Sequence, residues 1–164
     1  MSSKVFNVLF LCTGNSARSI MAESILNGMG RGRFRAFSAG SFPTGQVNPL
    51  AIELLELNRY PTKDLRSKSW DEFSDANAPQ LDFVFTVCDK AAQEACPAWP
   101  GSVLTANWSV EDPAVIGGSR SVKRRAFWNA FTVLQQRIDL FTNLPLASLD
   151  TMTLRVRLQE IGRQ

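Results

Sequence analysis

Short apolar runs alternate along this chain with longer stretches whose apolar positions recur at helical spacing. Residues 5–11 (VFNVLFL) are apolar apart from Asn7, the pattern of a strand buried on both faces. Over residues 16–28, Met21, Ala22, Ile25 and Leu26 fall on one side and Ile20, Ser24 and Asn27 on the other, with Gly28 and Gly30 as a stop; this predicts a helix. Residues 34–39 read as a second strand, followed by a Gly/Pro turn region over 40–45. Asn48-Pro49 is a helix start, with Asn as cap and Pro at the first helical position, and that helix is expected to run to about Leu57. Ser69 is placed to cap a short helix over 70–73. Residues 81–87 (LDFVFTV) predict a third strand, 89–101 a loop with two prolines, and 103–108 a fourth strand. Phe127, Phe131, Leu134, Ile138 and Phe141, spaced by four, three, four and three, mark the core stripe of a long helix over 121–141, with Lys123, Arg124 and Arg125 on its solvated start. Pro145 breaks the chain, and Ser148 is expected to cap a last helix ending at Ile161. Strands alternating with helices imply crossovers and a parallel sheet. The expected fold class is α/β: a single doubly wound domain over residues 1–164, with a four-stranded parallel sheet flanked by helices. Ligands of such sheets bind outside the carboxyl ends of the strands.

Composition narrows the chemistry. With 164 residues, 45% hydrophobic and 20% charged, the chain is long and apolar enough for one full core. It contains no histidine, which removes Ser-His-Asp and Cys-His nucleophile pairs, His-ligated zinc and imidazole acid–base work together. Acid and base roles fall to carboxylates, thiols, lysines or the single tyrosine, Tyr60. A net charge of +3 suits a small anionic substrate and is too mild to indicate nucleic acid. Three cysteines are too few, and odd in number, for a secreted disulfide scaffold. Residues 1–11 carry one lysine before an apolar run, but the run is short, Asn7 interrupts it and no small-residue cleavage site follows. No segment has the length of a membrane span. A cytoplasmic domain with reduced thiols and no membrane partner is the expectation.

The chemistry concentrates just after the first strand. Cys12-Thr13-Gly14-Asn15-Ser16-Ala17-Arg18-Ser19 is a C-x5-R-S run leading into a helix. A loop wrapped around a helix N-terminus points successive N–H groups inward and cradles a tetrahedral oxyanion. Gly14 is expected to supply the backbone freedom for that wrap. Arg18 offers a planar fork for two anion oxygens, and the same positive field favours a Cys12 thiolate aimed at the anion's central atom. Cys88 ends the third strand, and so belongs to the same edge of the sheet as Cys12; Cys96 follows in a loop. Both are also compatible with small buried residues. Asp112 follows the fourth strand and faces that edge too, as a candidate general acid. Trp70, Trp99, Trp108 and Trp128 read as core or loop packing rather than ligand contacts.

LFLCTGNSARS strongly resembles the phosphate loop of the low-molecular-weight protein tyrosine phosphatases. The likeness continues through Ser38-Ala39-Gly40, residues 87–101 (VCDKAAQEACPAWPG) and Glu111-Asp112-Pro113-Ala114, and there it is closest to the thiol-relay arsenate reductases of that fold. Phosphatases of the fold carry Asp-Pro-Tyr, whose ring packs on phosphotyrosine; Ala114 has no such ring. Ala17 stands where some members have a second loop cysteine, and the Cys88–Cys96 spacing is one residue longer than in the thioredoxin-linked prototype. The resemblance implies arsenate reduction through Cys12, Cys88 and Cys96, with Arg18 binding the oxyanion and Asp112 as acid. It implies oxyanion contacts from Thr13, Gly14, Asn15, Ser16, Ala17, Arg18 and Ser19, no tightly bound cofactor, and an external reductant of the thioredoxin or glutaredoxin/glutathione type. Asn15, Glu23, Ser38 and Asp71 fall where some of these reductases coordinate potassium; the alternative is that Asn15 and Ser38 only hold the loop. Two other functions stay open at this stage: phosphomonoester hydrolysis through a Cys12 phosphocysteine, and a non-enzymatic oxyanion sensor.

Overall fold

The structure, a computed structural model, describes residues 4–89, 99 and 101–164. Strands β1 (Phe6–Cys12), β2 (Phe34–Gly40), β3 (Phe83–Thr86) and β4 (Leu104–Asn107) pair in parallel in the order β2-β1-β3-β4. Helices α1 (Arg18–Met29), α2 (Pro49–Leu57), α3 (Arg120–Thr142) and α4 (Thr151–Ile161) flank them, and Trp70–Phe73 forms a 3-10 turn capped by Ser69. The chain leaves β1 for β2 on one side and returns past it to lay β3 on the other. The crevice at the carboxyl ends of β1 and β3 is therefore the switch point of the sheet, where ligands of such folds settle.

Because β1 is central, both of its faces are buried, which is why its sequence is apolar rather than alternating. Val8, Phe10 and Cys12 join Phe83, Phe85 and Val87 against the apolar sides of the four helices. Leu9, Leu11 and Val84 face the opposite way, against Phe73, Leu81 and Ala39. The stripe Phe127–Phe131–Leu134–Ile138–Phe141 is buried as its spacing predicts. Trp108 is fully buried, stacks on Phe85 with ring centroids 3.9 Å apart, and donates its indole N–H to the Leu158 carbonyl at 2.9 Å. Trp128 departs from the expectation of core packing: it lies 46% exposed on α3 and stacks on Phe131 from outside.

Two helix starts also differ from expectation. α1 begins at Arg18 rather than Ser16, because the intervening residues wrap into the loop after β1. α4 is capped by Asp150, which accepts from the Thr153 N–H at 2.7 Å, whereas the Ser148 N–H closes a turn onto Pro145. α2 starts as the Asn-Pro pair predicts: the Asn48 side chain accepts from the Leu50 N–H at 2.9 Å, and its own N–H holds the Ser16 carbonyl. Asn48→Ala should lower unfolding free energy by about 1 kcal/mol in urea titrations, the usual loss for a removed helix cap. A change within error would mean that Leu50 finds another acceptor.

Candidate active site

Residues 13–17 connect Cys12, the last residue of β1, to Arg18, the first of α1. The residue in the left-handed region is Asn15, with φ +45°, and not Gly14 as expected. Asparagine tolerates that conformation when its side chain bonds locally. Here the fully buried amide donates to Ser19 Oγ (2.8 Å) and Ser38 Oγ (3.0 Å) and accepts from the Lys68 N–H (2.9 Å). Gly14 instead serves close packing, its carbonyl accepting from the Thr44 N–H and the Ser67 hydroxyl. The more demanding glycine is Gly40, at the end of β2. A Cβ there would lie 2.4 Å from the Thr13 carbonyl oxygen and 2.9 Å from that of Cys12. Gly40→Ala should therefore cost about 1–3 kcal/mol of stability, as overpacking does, and weaken phosphate binding measured by calorimetry. Unchanged phosphate affinity would show that the loop does not depend on this contact.

At the start of α1, Ala17 offers no side chain to cap the first amides, so none of them is capped by its own N-cap residue. Uncapped N–H groups at a helix N-terminus favour an anion. Cys12 is 3% exposed, its sulfur 2.8 Å from Ser19 Oγ. Arg18 donates to the Val110 carbonyl (3.1 Å) and pairs with Asp112 Oδ2 (3.4 Å), while Asp112 Oδ1 accepts from the Ala114 N–H. Cys88 lies beyond β3, also 3% exposed, with its sulfur 3.7 Å from Thr13 Oγ1. A cleft of about 650 Å³ is lined by Thr13, Gly14, Arg18, Cys88, Asp89 and Asp112 among others. Hydrogen bonds from Ser109, chiefly, and from Asn107 hold the Asp89 carboxyl below the usual range. The fold thus brings the loop, Arg18, Asp112 and Cys88 to one edge; Cys96 lies outside the described residues. Such a group can bind a tetrahedral anion, attack it with sulfur, and present a second thiol and a carboxyl to what is formed.

The residues expected to hold potassium do not fit that ion. The Asn15 side-chain oxygen Oδ1 is occupied by the Lys68 N–H, and Ser38 donates to Glu23 Oε1 at 2.5 Å. The ammonium of Lys68 stands 3.8 Å from that same Glu23 oxygen, and Asp71 is exposed. A cation is already built into the chain at this point, so Asn15 and Ser38 hold the loop. Lys68 is the functional residue that sequence reasoning missed. It comes from an irregular segment, and no periodicity marks it; its carbonyl accepts the Gly40 N–H, which ties it to the loop. Burial pushes the Glu23 carboxyl up despite Lys68, and pushes the Lys68 ammonium down despite Glu23. A carboxyl that titrates above 4.5 when folded adds most stability below that pH, and the contribution is lost as pH rises through its folded value. Glu23→Gln should remove this loss of unfolding free energy with rising pH, read from urea titrations across that range. An unaltered pH profile would disprove the assignment of the fall to Glu23.

Residues 7–151 match the family described as low molecular weight phosphotyrosine protein phosphatase. A protein from Oceanobacillus iheyensis named arsenate reductase is 33% identical over 141 residues, covering 86% of this chain and 96% of its own. A solved arsenate reductase in the phosphate binding state superposes with a TM-score of 0.65 at 26% identity, over 84% of this chain and 97% of that one. A thioredoxin-dependent arsenate reductase from Corynebacterium glutamicum gives a TM-score of 0.64 at 23% identity. That match covers 90% of this chain and 66% of the Corynebacterium chain, and it speaks for the fold alone. With the loop, the sheet order and the matched length in agreement, this chain belongs to the low-molecular-weight phosphotyrosine protein phosphatase family.

Proposed function

We propose that this chain is a thiol-dependent arsenate reductase, formed as one catalytic domain and working in the cytosol. The observation that carries this reading is Cys88, a second thiol at the mouth of the oxyanion loop and within 3.7 Å of Thr13. A hydrolase of this fold needs one sulfur; reduction needs two electrons, and thiols supply them. The relative from Oceanobacillus and the phosphate-bound neighbour, both named arsenate reductases, support the same substrate class.

The chemistry runs as follows. The cradle N–H groups and the Arg18 fork bind arsenate, and the Cys12 thiolate attacks arsenic. One arsenate oxygen leaves as water, with Asp112 supplying its proton. Cys88 thiolate then attacks the Cys12 sulfur: a Cys12–Cys88 bond forms, the sulfur–arsenic pair goes to arsenic, and arsenite departs. Arsenic gains two electrons and the two thiols lose them. Cys96 next attacks Cys88, releases the Cys12 thiolate and carries the disulfide away from the cradle. An external dithiol of the thioredoxin or glutaredoxin type reduces it by the same thiol exchange.

Phosphomonoester hydrolysis is the second reading, because the loop, Arg18 and Asp112 are also what a phosphatase of this family needs. Ala114 provides no ring to stack on a phosphotyrosine, which weighs against it. Parallel assays decide: arsenate with a thioredoxin system, and an aryl phosphate alone. Thioredoxin-coupled arsenite formation is expected. Aryl phosphate turnover with none would leave the phosphatase reading in place.

A further inference from the structure

Arg18 shares the wall of the oxyanion cleft with three carboxylates, Asp89, Glu111 and Asp112. Asp112 is paired with Arg18, whereas neither Asp89 nor Glu111 has an ion-pair partner among the described residues. A cleft suited to an anion thus presents more carboxylate than guanidinium. A like charge so placed costs binding unless a proton lies between the two groups.

Asp89 is held in place by neutral donors. It follows Cys88 just beyond β3, and its Oδ1 accepts from the Ser109 hydroxyl (2.5 Å) and the Asn107 amide (3.4 Å). The Thr86 hydroxyl donates to Asn107 Oδ1 at 3.0 Å, which leaves the amide nitrogen for Asp89. Thr86 and Asn107 are register partners in the β3–β4 pair, so the sheet itself sets this arrangement. The Ser109 and Asn107 bonds, with the field of Arg18 added to them, keep the Asp89 carboxyl ionised. Both bonds fall on Oδ1. Among the described residues Oδ2 accepts none, and it remains an acceptor on the cleft wall. An ionised carboxylate only accepts hydrogen bonds, so whatever meets Oδ2 must bring a hydrogen. Tetrahedral oxyanions differ on this point: at neutral pH arsenate and phosphate keep a proton on oxygen, and sulfate keeps none.

We propose that Asp89 is a specificity-determining residue, whose Oδ2 accepts a hydrogen bond from the hydroxyl of a protonated oxyanion, arsenate or phosphate, and repels fully deprotonated sulfate. The cradle amides and Arg18 attract any tetrahedral anion, and Asp89 chooses among them. The proposal rests on the oxyanion-binding part of the function above and not on its redox steps.

The test is protection of Cys12 from iodoacetamide in the full chain at neutral pH, by phosphate and by sulfate at matched ionic strength, read by peptide mass mapping. Sulfate should need a concentration about tenfold or more above that of phosphate, the scale of one charge-assisted hydrogen bond. Asp89 is exposed, so Asp89→Asn should fold. Its side-chain oxygen can keep the Ser109 and Asn107 bonds, which puts a donor nitrogen where Oδ2 was. Sulfate protection should then strengthen, and the ratio between the anions should fall about tenfold. Glu111→Gln removes the same charge from the same cleft and should leave the ratio nearly unchanged. Equal protection by both anions in the unaltered chain, an unchanged ratio in Asp89→Asn, or an equal shift in Glu111→Gln would each overturn the proposal alone. Protection by neither anion would overturn it together with the oxyanion reading of the loop.

Discussion

Asp112→Asn is expected to cut arsenate turnover by about 10²–10⁴-fold, the usual contribution of a positioned general acid, while phosphate still protects Cys12 from iodoacetamide. Expulsion of oxygen from arsenic needs a proton; the chain has no histidine, and the Asp112 carboxyl lines the cleft beside Arg18. Two contacts hold the Asp112 carboxylate at the cleft. Its Oδ1 caps the turn over Pro113–Val115, and its Oδ2 lies 3.4 Å from Arg18 Nη2, next to where the anion would be gripped. Asparagine keeps the cap and the size but carries no acidic proton. Arg18→Ala, by contrast, removes the fork itself and should weaken both turnover and phosphate protection. Full turnover in Asp112→Asn would remove Asp112 from the mechanism. Loss of phosphate protection in the same variant would assign it to binding instead.

What could be read in the sequence, and what could not, follows from the range of the interactions concerned. Local signals placed α2 at Asn48-Pro49, the buried stripe of α3 and the continuous apolar run of β1, since capping and periodicity act within a few residues. The C-x5-R spacing located the loop for the same reason: strand, wrap and helix are consecutive. The side chains that hold the wrap in place were not visible in this way. Asn15 reaches Ser38 and Lys68, which are 23 and 53 residues away, and Gly40 fits against Thr13 only because β2 pairs with β1. Assigning the wrap to Gly14 followed the general preference of glycine for positive φ. The buried network around Asn15 overrides that preference and puts the left-handed turn at the residue whose amide can bond three partners at once. The potassium expectation failed on a similar long-range contact, since Lys68 enters the Glu23 environment from a loop that carries no pattern.

In Cys96→Ser, arsenate treatment should accumulate a Cys12–Cys88 disulfide, and in the unaltered chain a Cys88–Cys96 disulfide, both resolved by peptide mass mapping. Cys88→Ser should abolish thioredoxin-coupled turnover. Thiol exchange proceeds by one thiolate attack at a time, so removing a step traps the bond made before it. In the proposed relay Cys88 is the pivot, because it would serve both partners. Its sulfur sits against Thr13, the neighbour of Cys12, and it follows β3, so the chain running on from it leads directly to Cys96. A disulfide needs Cα atoms within about 4.4–6.8 Å; Cys88 must meet Cys12 and then Cys96 at that range in successive steps. Cys12 and Cys88 are each 3% exposed, so a bond between them is a poor target for a protein reductant, and the proposed relay gives its export to Cys96. Wild-type turnover by Cys88→Ser with the thioredoxin system would sink the relay. The loop, Arg18 and Asp112 would then serve either a phosphatase or a reductase that draws its electrons from a small external thiol attacking the Cys12–arsenate adduct directly.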